Sequence, residues 1–168
     1  MINRIVIFDR DNTLIKDKGY THKLKDLKFL PQSIKVLKFL REKKVKIFIV
    51  TNQSGVARGF FKIKQVKKFH KKMNDILKQQ DAKIDKFYFC PHFLGGKIKK
   101  FAINCNCRKP NNFFLELIKS NFKNKSKIIM FGDKPSDKQA ANKSKIKFFY
   151  RHRDFYLQVK NIYKKYLF

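Results

Sequence analysis

The chain has 168 residues, of which 43% are hydrophobic, and its formal net charge at neutral pH is +30. This length suits one ordinary domain with a full core, and the hydrophobic content excludes an intrinsically disordered chain. Its apolar runs are shorter than the roughly 20 residues that a membrane helix needs, and its first residues lack a secretory signal pattern. We therefore expect a single domain over residues 1–168 in a cytoplasmic protein.

The positive charge has two interpretations. A selected basic surface would bind nucleic acid, because neutralisation of phosphates by lysine and arginine drives such binding. However, 35 of the 42 basic residues are lysines, and they are scattered over nearly every segment, which favours a general bias of composition. We therefore do not expect a nucleic-acid partner, although the positive field should help to attract anionic substrates.

Apolar runs of strand length alternate with helical patterns along the chain. The predicted strands cover residues 5–8, 45–50, 85–89, 128–131 and 147–150. The predicted helices cover residues 32–44, 62–79 and 112–122, a short stretch that ends near 143, and the tail from 154 to 168. This alternation indicates right-handed βαβ units, and therefore an α/β, Rossmann-like fold with a parallel sheet covered by helices on both faces.

The first predicted strand ends at two aspartates, Asp9 and Asp11. Two carboxylates this close at the end of a buried strand repel each other, and the loss of solvation adds to the cost. Mg²⁺ relieves both effects, because it binds one or two carboxylates and the phosphate of the substrate at the same time. The alternative is a solvated turn after an edge strand, since Asp and Asn are common in turns.

Polar residues follow the other predicted strands as well. Thr51 follows the second strand, the segment 90–92 ends the third, and Asp133 follows the fourth. Ligands of parallel α/β sheets bind beyond the carboxyl ends of the strands. We therefore expect these segments and Asp9 to meet at one edge of the sheet.

Two short motifs enclose a loop at about residues 90–107. Cys90 and His92 form C-x-H, and Cys105 and Cys107 form C-x-C, which together supply four ligands for a closed tetrahedral zinc site. A disulfide is the alternative, but the number of cysteines is odd and a histidine occupies the matching position. We expect a structural zinc ion, because the protein would fill all four coordination positions.

With these motifs in place, the chain resembles the haloacid dehalogenase (HAD) superfamily of phosphotransferases over nearly its whole length. The superfamily motifs are matched by Asp9, Asp11 and Thr13 in DxDxT, by Thr51, by Lys109, and by Asp133 with Asp137. More narrowly, the chain resembles the family of D-glycero-D-manno-heptose 1,7-bisphosphate 7-phosphatases and histidinol-phosphatases, through DRDNTL, DKGY, TNQSGVARG, CPH with CNC, RKP and GDKPSD. Asn12 stands where that family usually has glycine, and Asn tolerates a left-handed backbone better than most residues.

The resemblance implies a HAD-type phosphatase that removes the 7-phosphate of the heptose bisphosphate through an aspartyl phosphate. It implies that Asp9 is the nucleophile and that Asp11 is the general acid and base. Mg²⁺ would be held by Asp9, the backbone carbonyl of Asp11, and Asp133. Thr51 and Lys109 would bind the oxygens of the transferring phosphoryl group.

Eight further residues are predicted to bind a phosphorylated sugar: Asp17, Gly19, Tyr20, Asn52, Gln53, Ser54, Arg58 and Arg108. Arg108 is assigned to substrate recognition and to a second phosphate, because arginine is rare in this chain and its planar fork suits phosphate. Helix capping or packing is the alternative for Arg58, and turn formation is the alternative for the polar residues after Thr51. Lys134 and Asp137 are expected to support the metal ligands.

No large insertion follows the first or the second motif, so we expect no mobile cap domain, and the zinc loop and the DKGY loop would form the walls of the site. We expect a monomer, with His22, His70 and His152 at its surface. Two other functions remain open: hydrolysis of histidinol phosphate, and a basic nucleic-acid-binding or end-processing protein on the same scaffold.

Overall fold

The computed structural model describes residues 3–122 and 126–168. Its strands are β1 (Asn3–Phe8), β2 (Lys46–Asn52), β3 (Lys86–Cys90), β4 (Ser126–Gly132) and β5 (Lys147–Tyr150). Its helices are α1 (Ser33–Glu42), α2 (Ile63–Lys78), α3 (Phe113–Asn121), α4 (Pro135–Lys143) and α5 (Phe155–Ile162). The predicted strands and helices are all present. The bounds of the strand 147–150 are as predicted, most of the other bounds are shifted, and the tail helix ends at Ile162, where one π-helical turn, Tyr163–Leu167, follows.

The predicted domain includes residues 1–2 and 123–125, which lie outside the described residues. Its extent as one domain stays a prediction. Among the described helices, none combines the length and the apolar character required to cross a membrane.

The five strands form one parallel sheet in the order β3-β2-β1-β4-β5. The strand β1 lies at the centre, where Ile7 is level with Phe48 of β2 and with Met130 of β4. This register brings the carboxyl ends of the three middle strands to the same edge of the sheet. The prediction of a parallel α/β sheet is therefore confirmed.

Helices cover both faces of the sheet, as predicted. One buried cluster joins α1, α2 and α5 to alternate side chains of the strands, such as Val6 and Phe8 of β1. The intervening residues Ile5 and Ile7 face the other cluster, which includes α3 and α4. Because successive side chains of a strand point to opposite faces, a strand buried on both sides has to be apolar throughout.

The spacing of apolar residues in α2 explains why this segment forms an amphipathic helix. Val66, Phe69, Met73 and Leu77 are buried and recur at intervals of three or four residues, which places them on one face. The backbone N–H of Lys62 donates to the Gln65 side chain at 2.8 Å, which caps the first turn. The loop between β2 and α2 is held at the end of the sheet by hydrogen bonds from the backbone N–H of Gln53 to the carbonyl of Cys90 and from that of Ala57 to the carbonyl of Pro91.

Candidate active site

Asp9 is the first residue after β1, and its backbone N–H donates to the carbonyl of Phe131 in β4 at 2.9 Å. This bond ties the end of β1 to the end of the neighbouring strand, so that Asp9 and Asp133 meet. A cleft of about 470 Å³ opens at this edge. It is lined by the four residues predicted to be catalytic and by the eight predicted to bind substrate.

Three carboxylates converge at the floor of the cleft. Asp9, Asp133 and Asp137 each place one oxygen within 4.8 Å of the others. Burial raises the pKa of Asp9 to about 7, although the Lys109 ammonium opposes the rise. Burial also raises the pKa of Asp133, and the carboxylate of Asp137 adds to that rise. The cluster therefore concentrates negative charge that a bound cation would relieve.

The donor atoms of this cluster fit Mg²⁺. The Oδ1 atom of Asp133 is buried and has no hydrogen-bond partner among the described residues. Buried polar atoms are normally paired, and Mg²⁺ takes carboxylate oxygens as ligands. Asp9 and Asp133 are thus suited to hold the ion, and Asp137 contributes a third carboxylate to its surroundings.

Asp137 is fixed by the start of α4. Its Oδ2 accepts the backbone N–H groups of Asp133 at 3.2 Å and of Lys134 at 3.0 Å, which caps the helix. A Cβ at Gly132 would lie only 2.5 Å from the same oxygen, so glycine is required there. The other oxygen, Oδ1, lies 2.7 Å from the Nζ atom of Lys109. Asp137 therefore contacts the backbone of Asp133 with one oxygen and the side chain of Lys109 with the other.

Lys109 is buried among acceptors. Its Nζ donates to Oδ1 of Asp9 at 2.5 Å and to the carbonyl of Val50 at 2.7 Å, in addition to the contact with Asp137. Burial alone would lower the pKa of Lys109, but the carboxylates of Asp9 and Asp137 outweigh burial and raise that pKa. The ammonium therefore stays charged, and its place beside Asp9 suits contact with a phosphoryl oxygen.

Replacing Lys109 by methionine should destabilise the fold. The change leaves Asp9 and Asp137 buried together without their shared cation, and breaking one side of a buried ion pair costs about 3–5 kcal/mol. Urea unfolding measures the effect, with Lys134→Met as the control, because it removes the same charge from an exposed neighbour. An equal loss of unfolding free energy in the two variants would contradict the assignment of Lys109 to a buried network with Asp9 and Asp137.

Two polar residues at the end of β2 form hydrogen bonds with other residues of the site. The Asn52 side chain donates to the carbonyl of Lys109 at 2.9 Å and accepts its backbone N–H at 3.0 Å. The Gln53 amide donates to the hydroxyl of Thr51 and to Oδ2 of Asp11, both at 2.9 Å. Asn52 therefore holds the segment that carries Lys109, and Gln53 links Thr51 to Asp11.

Asp11 has a partner that the sequence did not predict. Oδ1 of its carboxylate accepts hydrogen bonds from Nε of Arg10 at 3.0 Å and from Nη2 of Arg10 at 2.8 Å. The Arg10 residue is only 1% exposed, which is unusual for an arginine. The signal in the sequence was its place between the two aspartates in a chain with few arginines.

The prediction of His70 at the surface is wrong. His70 is 5% exposed, and its ring stacks on Phe87 of β3 with 4.7 Å between ring centroids. Its Nε2 lies 3.1 Å from Nη1 of Arg10, which gives the buried ring a polar partner. His70 also lies on the apolar stripe of α2, four residues after Val66 and three before Met73, and this spacing could have revealed it. His152 is exposed and His22 is partly exposed.

Arg58 and Arg108 lie together at the mouth of the cleft. The guanidinium carbon of Arg58 lies 3.9 Å from the ring centroid of Phe93, and that of Arg108 lies 5.3 Å from it. Tyr20 contributes a second ring near Arg58, at 5.8 Å. The buried Nε of Arg58 has no hydrogen-bond partner among the described residues. Two stacked guanidinium groups at the entrance suit an anionic part of a ligand.

The four residues predicted to bind zinc form one cluster. Among the sulfur atoms, the distances are 3.1 Å between Cys90 and Cys107 and 3.5 Å from Cys105 to each of them, and Nδ1 of His92 lies 3.3 Å from the sulfur of Cys107. A tetrahedron with Zn–S bonds of 2.3 Å has edges of about 3.8 Å. The spacing is slightly tighter than that and fits a single small ion between three sulfur atoms and one imidazole nitrogen. The three cysteines are free thiols.

The chemistry of the thiols also suits a metal. The hydrogen bond between Cys90 and Cys107 lowers the pKa of Cys107, and the same bond raises the pKa of Cys90. The cluster therefore favours one thiolate at neutral pH, and the thiolate is the form that binds metals.

Comparisons with known proteins agree with this fold and site. A family model described as polynucleotide kinase 3 phosphatase matches residues 4–160. The D-glycero-beta-D-manno-heptose-1,7-bisphosphate 7-phosphatase of Haemophilus influenzae is 37% identical over 147 residues, which cover 87% of this chain and 79% of that protein. The D-glycero-alpha-D-manno-heptose-1,7-bisphosphate 7-phosphatase of Photorhabdus laumondii is 31% identical over 144 residues, covering 85% of this chain and 79% of that protein.

A solved structure has the same fold. The D,D-heptose 1,7-bisphosphate phosphatase of B. bronchiseptica, complexed with magnesium and phosphate, superposes with a TM-score of 0.80 at 21% identity, over 96% of this chain and 99% of that chain. The parallel sheet and its acidic edge are those of a phosphatase of the HAD type. The chain belongs to the HAD superfamily of phosphatases, in the family that the matching model describes. Its curated relatives within that superfamily include heptose 1,7-bisphosphate 7-phosphatases.

Proposed function

We propose that the chain is a Mg²⁺-dependent phosphatase that removes the 7-phosphate of D-glycero-D-manno-heptose 1,7-bisphosphate. The observation that carries the proposal is the convergence of Asp9, Asp133 and Asp137 at the floor of an open cleft, where the Lys109 ammonium contacts Asp9 and Asp137. The curated relatives support this substrate, and the fold neighbour complexed with magnesium and phosphate supports the metal.

In the first step, an oxygen of Asp9 attacks the phosphorus of the 7-phosphate. The new bond joins Asp9 to phosphorus while the bond from phosphorus to the sugar oxygen breaks, and Asp11 gives its proton to that oxygen. Lys109 and Thr51 bind the phosphoryl oxygens and stabilise their developing charge. Bound Mg²⁺, held by Asp9 and Asp133, would offset the repulsion between the attacking carboxylate and the phosphate.

In the second step, water attacks the phosphorus of the aspartyl phosphate. Asp11, now a carboxylate, takes a proton from this water, and the bond between phosphorus and the Asp9 oxygen breaks. Inorganic phosphate leaves, and Asp9 and Asp11 return to their starting forms. At the mouth of the cleft, Arg58 and Arg108 would bind the phosphate that remains on the sugar.

The zinc loop is proposed to serve the site without entering the reaction. The cysteine and histidine cluster would hold Zn²⁺ and fix the segment that ends in Arg108 and Lys109. The Arg108 guanidinium donates to the carbonyl of His92 at 3.3 Å, which links it to the ligand loop.

Stabilisation of the protein by Mg²⁺ should increase with pH. The pKa of Asp9 is raised from 3.8 to about 7, so the metal-free folded chain binds a proton that the unfolded chain releases between these values. The contribution of this carboxyl to stability therefore falls as pH rises from 3.8 towards 7. Mg²⁺ competes with that proton, and thermal melts should show a larger metal-induced shift at about pH 8 than at about pH 5. A shift of equal size at both values, or the same pH dependence in Asp9→Asn, would contradict the assignment.

A phosphate-release panel tests the proposed substrate. It contains both anomers of the heptose bisphosphate, histidinol phosphate, and oligonucleotides with a terminal phosphate, each with Asp9→Asn as the control. We expect the highest kcat/KM with one of the heptose bisphosphates. Faster turnover of histidinol phosphate would overturn the proposal in favour of that enzyme.

A second function, removal of a 3′-phosphate from a nucleic-acid end, is favoured by the description of the matching family model and by the net charge of +30. It predicts that a 3′-phosphorylated oligonucleotide is the best substrate of the panel. It also predicts a steep loss of kcat/KM with added salt, because binding to several phosphates releases counterions. A heptose bisphosphatase should show a much shallower salt dependence.

A further inference from the structure

A buried guanidinium lies directly beneath the candidate general acid. The Nη2 atom of Arg10 donates to both oxygens of Asp11, at 2.8 and 3.0 Å, and to the carbonyl of Thr21 at 2.8 Å. It also lies 3.2 Å from Oε1 of Gln53, whose own amide donates to Asp11. Arg10 does not itself line the cleft, whereas Asp11 and Gln53 do. One cation thus joins the acid, the end of β2 and the loop that carries Tyr20.

The far side of this guanidinium is held by α2. The Nη1 atom of Arg10 lies 3.1 Å from Nε2 of His70, and the guanidinium carbon of Arg10 lies 4.9 Å from the ring centroid of Phe69. Burial lowers the pKa of His70 well below its ordinary value, and the charge of Arg10 lowers it further. The imidazole is therefore neutral, so that Nε2 can accept a hydrogen bond from Nη1 of Arg10. The ring cannot turn freely, because it is stacked on Phe87.

We propose that Arg10 and His70 are a positioning pair, which fixes the carboxyl of Asp11 for the two proton transfers of the proposed reaction. The inference rests on the proposed function, because it needs Asp11 to act as acid and base. Burying an arginine is expensive unless its donors are satisfied, and here the planar fork binds the carboxylate with two nitrogens. Such a fork restricts both the position and the rotation of the carboxylate, and catalysis by a proton donor depends on that geometry.

The leaving group of the substrate distinguishes an arginine that positions Asp11 from one that only stabilises the fold. Mutation of a positioning arginine slows only the steps in which Asp11 transfers a proton. The leaving group of p-nitrophenyl phosphate departs as a stabilised anion, whereas a sugar oxygen needs a proton from Asp11. In Arg10→Lys, transfer to Asp9 from p-nitrophenyl phosphate should stay fast while hydrolysis of the aspartyl phosphate slows. We therefore expect a burst of about one p-nitrophenolate per chain, followed by slow turnover. With the sugar phosphate we expect a fall in kcat on the order of 10²-fold and no burst.

A double-mutant cycle separates positioning from general damage. Arg10→Lys together with Asp11→Asn should be no slower than Asp11→Asn alone, because Arg10 acts only through Asp11. His70→Leu should reproduce part of the Arg10→Lys effect, and His70→Gln, which keeps an acceptor oxygen, should restore much of it. Met73→Ala provides the control for stability, since Met73 is a buried core residue of the same helix. It should lower the melting temperature without changing the ratio of rates on the two substrates.

Two results would overturn the inference while leaving the proposed function intact. One is phosphoryl transfer from p-nitrophenyl phosphate that slows in Arg10→Lys as much as turnover of the sugar phosphate does, so that no burst appears, and the other is an additive double mutant with Asp11→Asn. If Asp11→Asn itself turns over the sugar phosphate at the normal rate, the proposed reaction fails as well. A burst in Arg10→Lys, a non-additive cycle and rescue by His70→Gln would together establish the positioning pair.

Discussion

Asp9→Asn should lower phosphate release from the sugar phosphate by about 10⁴-fold or more, as removal of a nucleophile does in other enzymes that use covalent catalysis. The amide of asparagine cannot form the covalent intermediate, and it is also a weaker ligand for Mg²⁺. Initial rates of phosphate release measure the loss. Asp75→Asn makes the same chemical change on the exposed side of α2 and should keep the normal rate.

The same variant should remain folded, which makes the loss of activity interpretable. Lys109 keeps its contacts with Asp137 and with the carbonyl of Val50, each at 2.7 Å. The variant also removes a carboxylate whose raised pKa indicates an unfavourable burial. The metal-free Asp9→Asn protein should therefore melt at or above the temperature of the unchanged protein. Substantial residual phosphate release by folded Asp9→Asn would contradict the assignment of Asp9 as nucleophile.

Cys107→Ser should unfold the loop at residues 90–107 and lower the stability of the protein by about 4–5 kcal/mol, the range in which loss of a structural metal falls. No residue from 91 to 107 is buried, so this loop has no apolar core of its own. A structural zinc ion contributes about 10–16 kcal/mol in small peptides, which is ample to order such a loop. Metal content, protease sensitivity of the loop and urea unfolding measure the effect.

Asn106→Ser is the matched control for Cys107→Ser, because it introduces the same side chain at an exposed neighbouring position that offers no ligand. It should bind zinc normally and keep its stability. Loss of the metal should also lower activity, because Arg108 and Lys109 directly follow the ligand loop. If Cys107→Ser retains one zinc ion per chain, or if the purified protein contains none, the zinc assignment is wrong.

The architecture and the meeting of distant segments could be predicted from the sequence because they follow from simple rules. Apolar strands alternating with helices favour a parallel sheet, and parallel strands carry their terminal residues to one edge. This reasoning predicts that Asp9, Thr51 and Asp133 meet, and in the structure Asp9 and Thr51 line one cleft while a carboxylate oxygen of Asp133 lies within 4.8 Å of one of Asp9. The left-handed backbone at Asn12, with φ of 56°, also matches the sequence expectation.

The burial of Arg10 and His70 could not be predicted in the same way. A buried cation depends on partners from several segments, and the partners of Arg10 come from α2, from the end of β2 and from the loop containing Thr21. None of these contacts has a fixed spacing in the sequence. The second role of Asp137, its contact with Lys109, likewise depends on two segments far apart in the sequence that only the folded chain brings together.

The most direct test is to trap the covalent intermediate. The protein is mixed with the heptose bisphosphate and Mg²⁺, quenched in acid within one turnover, digested, and analysed by mass spectrometry. We predict a phosphoryl group on the peptide that contains Asp9, attached to that side chain, and its disappearance when Mg²⁺ is omitted. A phosphoryl group on another residue, or rapid turnover with no labelled peptide, would contradict the proposed reaction.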